Sequence, residues 1–179
     1  MKTIKYQFLL LIIIVSTNFV QAQKIAENIN LPNFSKVSAN LYRGAQPTEE
    51  GIKQLAKLGV KTIINLRGED KNSLSEIRWA QNAHIKFVSV NLSNWFEPND
   101  SDIVQIIEKI DAEGNQPVFI HCKRGADRTG TVIAVYRITH DKYTAKQAIA
   151  EAKKFDFGWW QFPMKHYINE YYEHFKKHS

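Results

Sequence analysis

From residue 41 onward the apolar positions switch repeatedly between a period of about two and a period of about 3.6, the spacings of strands and helices. Leu41-Tyr42-Arg43-Gly44 predicts a short strand. Thr48 caps a helix that opens on Glu49 and Glu50, lines one face with Ile52, Leu55, Ala56 and Leu58, and stops at Gly59. Val60 to Leu66 is apolar and β-branched enough for a buried strand, and the charged turn 67–72 follows it. Ser73 with Glu76 has the spacing of a capping box for a helix running to about His84, with Leu74, Ile77 and Ala80 inward. Ile85 to Val90 returns as a strand. A polar loop from Asn91 to Asp100 leads into a helix with Ile103, Ile106, Ile107 and Ile110 on one face, ending near Gly114.

Pro117 to Ile120 reads as a buried strand and Val132 to Arg137 as a largely buried helix, with the turn 121–130 between them. Thr144 and Gln147 form a second capping box, for a helix over 145–154. The aromatic turn 155–163 leads to a last helix over about 165–177, rich in tyrosine. Trp159, Trp160 and Phe162 are expected in the core beneath it. Strands alternating with helices give an α/β class, a central mostly parallel sheet flanked by helices. Such sheets carry their sites at the carboxyl ends of strands.

A chain of 179 residues with 44% hydrophobic and 23% charged positions suits one globular domain, assigned to residues 41–179. The start is different. Lys2 and Lys5 precede the apolar run Phe8 to Val15, and Val20-Gln21-Ala22 offers small residues at a cleavage point. Residues 1–22 therefore read as a secretory signal peptide, with a mature chain from Gln23 that is periplasmic or secreted. The rival reading, an uncleaved anchor, is disfavoured because spanning takes about 20 apolar residues. Residues 23–40 read as a polar lead-in. The formal charge of +6 falls to +4 once the two signal lysines are removed. That suits anionic substrates, and without a dense basic block it excludes a nucleic-acid partner.

The chain has one cysteine, so it forms no internal disulfide, and Cys122 sits in a glycine-containing turn. Its setting is His121-Cys122-Lys123-Arg124-Gly125-Ala126-Asp127-Arg128-Thr129-Gly130. A strand-to-helix turn aims backbone N–H groups and the positive end of a helix at one point, which suits an anion. Gly125 lets the backbone close on that anion, and the N–H groups of residues 123–128 then converge on it. Lys123 and Arg124 add charge, and Arg128 offers a planar fork for two phosphate oxygens. The same field favours the thiolate of Cys122, the nucleophilic form. Thr129 is placed to donate to the sulfur as a leaving group, and His121 to brace the loop. A phosphate-binding loop comprising Lys123, Arg124, Gly125, Ala126, Asp127, Arg128 and Thr129, with a thiolate nucleophile, is the reading these residues support.

H-C-x5-R-[ST]-G, matched by residues 121–130 at every fixed position, is the signature of the cysteine-dependent protein tyrosine phosphatase superfamily. With its size and its Leu41-Tyr42-Arg43-Gly44…Gln46-Pro47 opening, the chain resembles the dual-specificity branch, in particular bacterial exported phosphatases and the plant and fungal atypical group. The resemblance covers about residues 40–155. It implies hydrolysis of phosphomonoesters through a phosphocysteine, with no cofactor and no metal, on a phosphorylated protein, lipid or inositol substrate. One element departs from the family. An aspartate about thirty residues before the cysteine usually protonates the leaving group, whereas Asn91 and Leu92 stand there in this chain. Asp127, inside the loop, and Glu97, in the loop before the isoleucine-rich helix, are the candidate acids. Asp100 and Asp102 read more simply as the cap and first-turn acid of that helix. A phosphate-binding module without turnover is the alternative function.

Overall fold

The structure, a computed structural model, describes residues 29–178. Five strands form one sheet: β1 (Ser35–Ser38), β2 (Leu41–Ala45), β3 (Thr62–Asn65), β4 (Lys86–Ser89) and β5 (Val118–Cys122). Their order is β1-β2-β5-β3-β4, with β1 antiparallel to β2 and every other pair parallel. β5 is the central strand. Its carboxyl end, Cys122, pairs with Ala45 of β2, while His121 pairs with Asn65 of β3.

Alternation along these strands divides the core by face. Ile63, Phe119 and Tyr42 pack against Ile52, Leu55 and Ala80 of α1 (Glu49–Lys57) and α2 (Lys71–Asn82). On the other face, Ile64, Val118 and Ile120 meet Ile103, Ile106 and Ile110 of α3 (Asp100–Asp111) and Val132, Ile133 and Val135 of α4 (Asp127–Asp141). A third cluster joins α4 to α5 (Ala145–Lys153) and α6 (Phe162–His178) through Ala134, Ile138, Ala148, Met164 and Ile168. α4 is thus buried on nearly all sides, which explains an apolar pattern without a polar face. No described helix is long and apolar enough to cross a membrane. The segment read as a signal peptide, residues 1–22, lies outside the described residues.

Thr48 caps α1 through Gly51 N, and Thr144 with Gln147 forms the capping box of α5, as their sequences predict. Four expectations differ from the structure. Residues 29–40 are not a detached lead-in: Ile29 and Leu31 are buried in the core and Ser35–Ser38 is an edge strand. α2 begins at Lys71, and its cap is Asp70, whose Oδ1 accepts from Ser73 N while Ser73 Oγ bonds the Asp70 backbone. The expected Ser73–Glu76 box is absent because Glu76 is drawn inside the protein, and Leu74 faces solvent. Asn99, not Asp100, occupies the cap position of α3; Asp100 and Asp102 both sit in its first turn.

The aromatic turn carries the fourth difference. Phe157, not the two tryptophans, enters the core under α6. Gly130 makes room for it, since a Cβ there would stand 2.8 Å from the Phe157 ring. That space holds a single ring, and burying it contributes on the order of 1.5–3 kcal/mol. Trp159, Trp160 and Phe162 are left exposed.

Candidate active site

Cys122 is buried at the end of β5, and α4 begins five residues later at Asp127. The loop between them is shaped by three donors on the segment 33–46. Gln46 N donates to Lys123 O (3.3 Å), Asn33 Nδ2 to Arg124 O (2.9 Å) and Arg43 Nη2 to Gly125 O (2.6 Å). In a trans peptide the carbonyl and the next N–H point in opposite directions. Three carbonyls turned toward β2 therefore turn the N–H groups of Arg124, Gly125 and Ala126 to the other side, the anion side. Gly125 is required twice. Its φ is +69°, and a Cβ would lie 2.3 Å from the Gly44 carbonyl.

Arg43 is the deepest of these supports, fully buried in β2 with its guanidinium 3.9 Å from the centre of the Phe155 ring. Burial lowers its pKa to about 10, against the pull of Glu151 and Cys122 in the opposite sense. His121, also fully buried, stacks on Phe119, lies 2.7 Å from Glu76 Oε1 through Nε2, and sets Nδ1 3.2 Å from its neighbour's carbonyl, Cys122 O. The Glu76 contact is close but off hydrogen-bond alignment. Glu76 Oε2 accepts from Gln46 Nε2 (3.0 Å), and Gln46 Oε1 accepts from Arg67. His121 is thus a brace, as expected, and α2 reaches the loop through Glu76 and Gln46.

Arg128 Nη1 is held by the carbonyls of Leu66 (3.3 Å) and Leu92 (3.4 Å), in the segments that follow β3 and β4. Its Nε is buried without a partner, and so is the Thr129 hydroxyl. Both donors belong to the first turn of α4 and are uncommitted within the protein, at high cost unless a ligand takes them.

A cavity of 430 Å³ opens above Cys122. Lys123, Arg124, Asp127 and Arg128 line it from the loop, Asn94 and Trp95 from the segment after β4, and Trp160 and Gln161 from the aromatic turn. Gln161 Nε2 ties the two outer segments together by donating to Asn94 O (3.3 Å). Among the described residues no cluster of three or more His, Cys, Asp or Glu forms a metal site.

The candidate acids separate. Asp127 lies in the cavity wall, almost fully buried, and both its oxygens accept: Oδ1 from Gly158 N (2.8 Å), Oδ2 from Arg124 Nη2 (2.6 Å). It fastens the aromatic turn to the loop. Glu97 is not brought to Cys122. It pairs with His166 Nδ1 of α6 (2.9 Å) and lines a different cavity, shared with Asp100. Asp100 accepts from the Tyr167 hydroxyl (2.8 Å). Burial first, then that bond, raises the Tyr167 pKa above the ordinary tyrosine value.

Sequence reasoning placed the loop but missed Arg43, Gln46 and Glu76 as its supports. The available signal was a charge out of pattern: an arginine inside an apolar strand, and a glutamate on the buried face of α2, four residues before Ala80.

Residues 15–165 match the family described as DSP-PTPase phosphatase fused to NAD+ kinase. Among curated proteins, the chain is 30% identical over 138 residues to the dual specificity protein phosphatase TpbA of Pseudomonas aeruginosa (strain UCBPP-PA14), an alignment spanning 76% of this chain and 59% of that protein. It is 30% identical over 112 residues to the putative tyrosine-protein phosphatase OCA1 of Saccharomyces cerevisiae (strain YJM789), covering 59% of this chain and 47% of that one. The chain thus spans about half of these relatives' length. Among solved structures, the core catalytic domain of the PP-IP phosphatase SIW14 from S. cerevisiae, in complex with citrate, superposes with a TM-score of 0.74 at 25% identity, covering 84% of this chain and 93% of that one.

Proposed function

We propose, from the premise that this chain belongs to the DSP-PTPase phosphatase family, that it is a cysteine-dependent phosphatase acting on phosphomonoesters and related phosphoryl groups. One observation carries the reading: three outward-turned loop carbonyls turn three N–H groups to the anion side of the loop, and Arg128, its Nε uncommitted, lines the cavity over Cys122. These donors match the equatorial oxygens of a phosphoryl group in transfer. The thiolate of Cys122 attacks phosphorus, an S–P bond forms, and the ester P–O bond breaks. Water then attacks the phosphocysteine, the S–P bond breaks, and phosphate leaves with the thiolate restored. Thr129, whose hydroxyl is uncommitted within the protein, is assigned as the donor to the departing sulfur in the second step.

The leaving oxygen narrows the substrate. Asp127 accepts at both oxygens and Glu97 faces away, so among the described residues neither candidate acid is poised to donate a proton over Cys122. This favours leaving groups that depart with little protonation: a phenolate such as tyrosine, of pKa about 10, or the phosphate of a phosphoanhydride. The dual-specificity and PP-IP phosphatase names of the relatives support both classes. Lys123 and Arg124, exposed at the mouth, favour polyanions.

Hydrolysis of p-nitrophenyl phosphate in the presence of a chelator is the test. Cys122→Ser is expected to lower the rate by at least about 10³-fold, and vanadate to inhibit the native enzyme. Retained turnover in that variant would refute the mechanism; phosphate binding without turnover by the native chain would favour the binding module. Export, proposed on residues 1–22 alone, predicts a mature chain whose first residue by N-terminal sequencing is Gln23. An intact Met1 on protein recovered from the envelope would refute cleavage.

A further inference from the structure

Among the described residues, seven large hydrophobic side chains are exposed, and the five aromatic ones stand on the two segments that form the mouth of the site. Trp95 and Phe96 are 71% and 73% exposed, and Trp159, Trp160 and Phe162 are 74%, 45% and 65% exposed. Together they offer water roughly 700 Å² of aromatic surface on either side of the mouth.

This presentation is built. Ser93 Oγ accepts from both Trp95 N (3.1 Å) and Phe96 N (3.0 Å), holding a turn that points the two rings outward. Trp159 and Trp160 pack edge to face at 5.9 Å, and Gln161 beside them is buried and bonded to Asn94 O. Cations are interleaved with the rings. Lys165 donates to Trp159 O (2.8 Å) and lies 5.6 Å from the Phe162 ring, and Arg124 lies 6.0 Å from Trp160. Tryptophan and phenylalanine among lysine and arginine is the composition that settles at a lipid–water boundary. Shape favours the same occupant. The rings stand largely exposed on the segments around the mouth, and a fluid interface takes exposed wedges where a peptide needs a walled groove.

We propose that this rim is a membrane docking surface, which seats the mouth of the site on an anionic lipid interface so that the terminal phosphate of a lipid headgroup enters the cavity over Cys122. The docking rests on the phosphatase reading only for what happens to that phosphate. A headgroup ending in a diphosphate fits a site where neither Asp127 nor Glu97 is poised as an acid: Cys122 takes the terminal phosphoryl, the P–O–P bond breaks, and the lipid keeps its inner phosphate before water releases the other.

The full-length chain is compared with the variant Phe96→Ala/Trp159→Ala/Phe162→Ala, three residues that do not line the cavity. The two share every other segment, including residues 1–28. Probes are phosphatidylcholine vesicles with and without phosphatidylserine, vesicles carrying diacylglycerol diphosphate, a phosphotyrosine peptide, and p-nitrophenyl phosphate in solution. Expected are a loss of about tenfold or more in partitioning onto anionic vesicles, a similar loss of turnover on the vesicle-borne diphosphate, and unchanged turnover of p-nitrophenyl phosphate. Equal partitioning of the two chains overturns the proposal. So does a variant that loses phosphopeptide turnover with vesicle binding unchanged, which assigns the rim to a protein partner. If the native chain turns over no p-nitrophenyl phosphate while the difference in partitioning persists, the phosphatase reading fails and the docking surface stands.

Discussion

Asp127 is a residue whose place in a loop suggests chemistry and whose contacts suggest architecture. Its carboxylate closes two bonds across different parts of the chain, to the backbone of Gly158 and to Arg124. A group that accepts at both oxygens holds a turn well and has neither oxygen free to face a leaving group. Asp127→Asn keeps an acceptor for Gly158 but sets an amide NH2 against the guanidinium of Arg124. The expected cost is about 1–3 kcal/mol in thermal or denaturant unfolding. Rates on an aryl and an alkyl phosphate should fall by the same factor, because a loosened loop harms both transition states alike. A selective loss on the alkyl phosphate, with its basic leaving group, would make Asp127 the acid instead.

At the scale of elements, what was legible followed from how local each signal is. The anion loop and its flanking strand and helix were readable because all their requirements lie within residues 117–137: apolar strand, glycine at a positive φ, arginine on the first turn of a buried helix. The α1 and α5 caps were readable for the same reason. β1 was not, because Ser35-Lys36-Val37-Ser38 buries one apolar residue and is held by backbone pairing to β2. The supports of the loop were not either. Arg43 lies 82 residues from the carbonyl it holds, and Asn33 lies 91 from its own. The aromatic turn was misread because it carries five rings, and Gly130, in another element, makes its space for Phe157. Glu97 shows the same limit. Its sequence position fits an acid loop, and its partner on α6 turns it elsewhere.

Across the whole molecule, α6 is the strap that binds α4, α5 and the start of α3 together, and its tyrosines make that binding sensitive to alkali. Tyr167 packs in the main core and donates to Asp100 at the start of α3, and Tyr171 packs beside it. Burial raises the pKa of both, and that of Tyr42 across the sheet. Each raised tyrosine holds its proton more tightly in the folded than in the unfolded chain. Its contribution is therefore complete below the unfolded value of 10 and is lost as the pH climbs from there toward the folded value. Arg43 acts in the opposite sense: its pKa is lowered to about 10 in the folded state, so the unfolded chain holds that proton longer and stability gains between about 10 and the ordinary 12.5. Three tyrosines against one arginine predict a melting temperature that declines once the pH passes 10. Tyr167→Phe removes one titrating group, so it should start lower, for want of the Asp100 bond, and decline less steeply. The difference in slope should reach at most about 1.4 kcal/mol per pH unit and be smaller after solvent screening. Parallel declines for the two proteins would mean that the phenol of Tyr167 is not among the groups that alkali titrates on unfolding, and that the strap is held by packing alone.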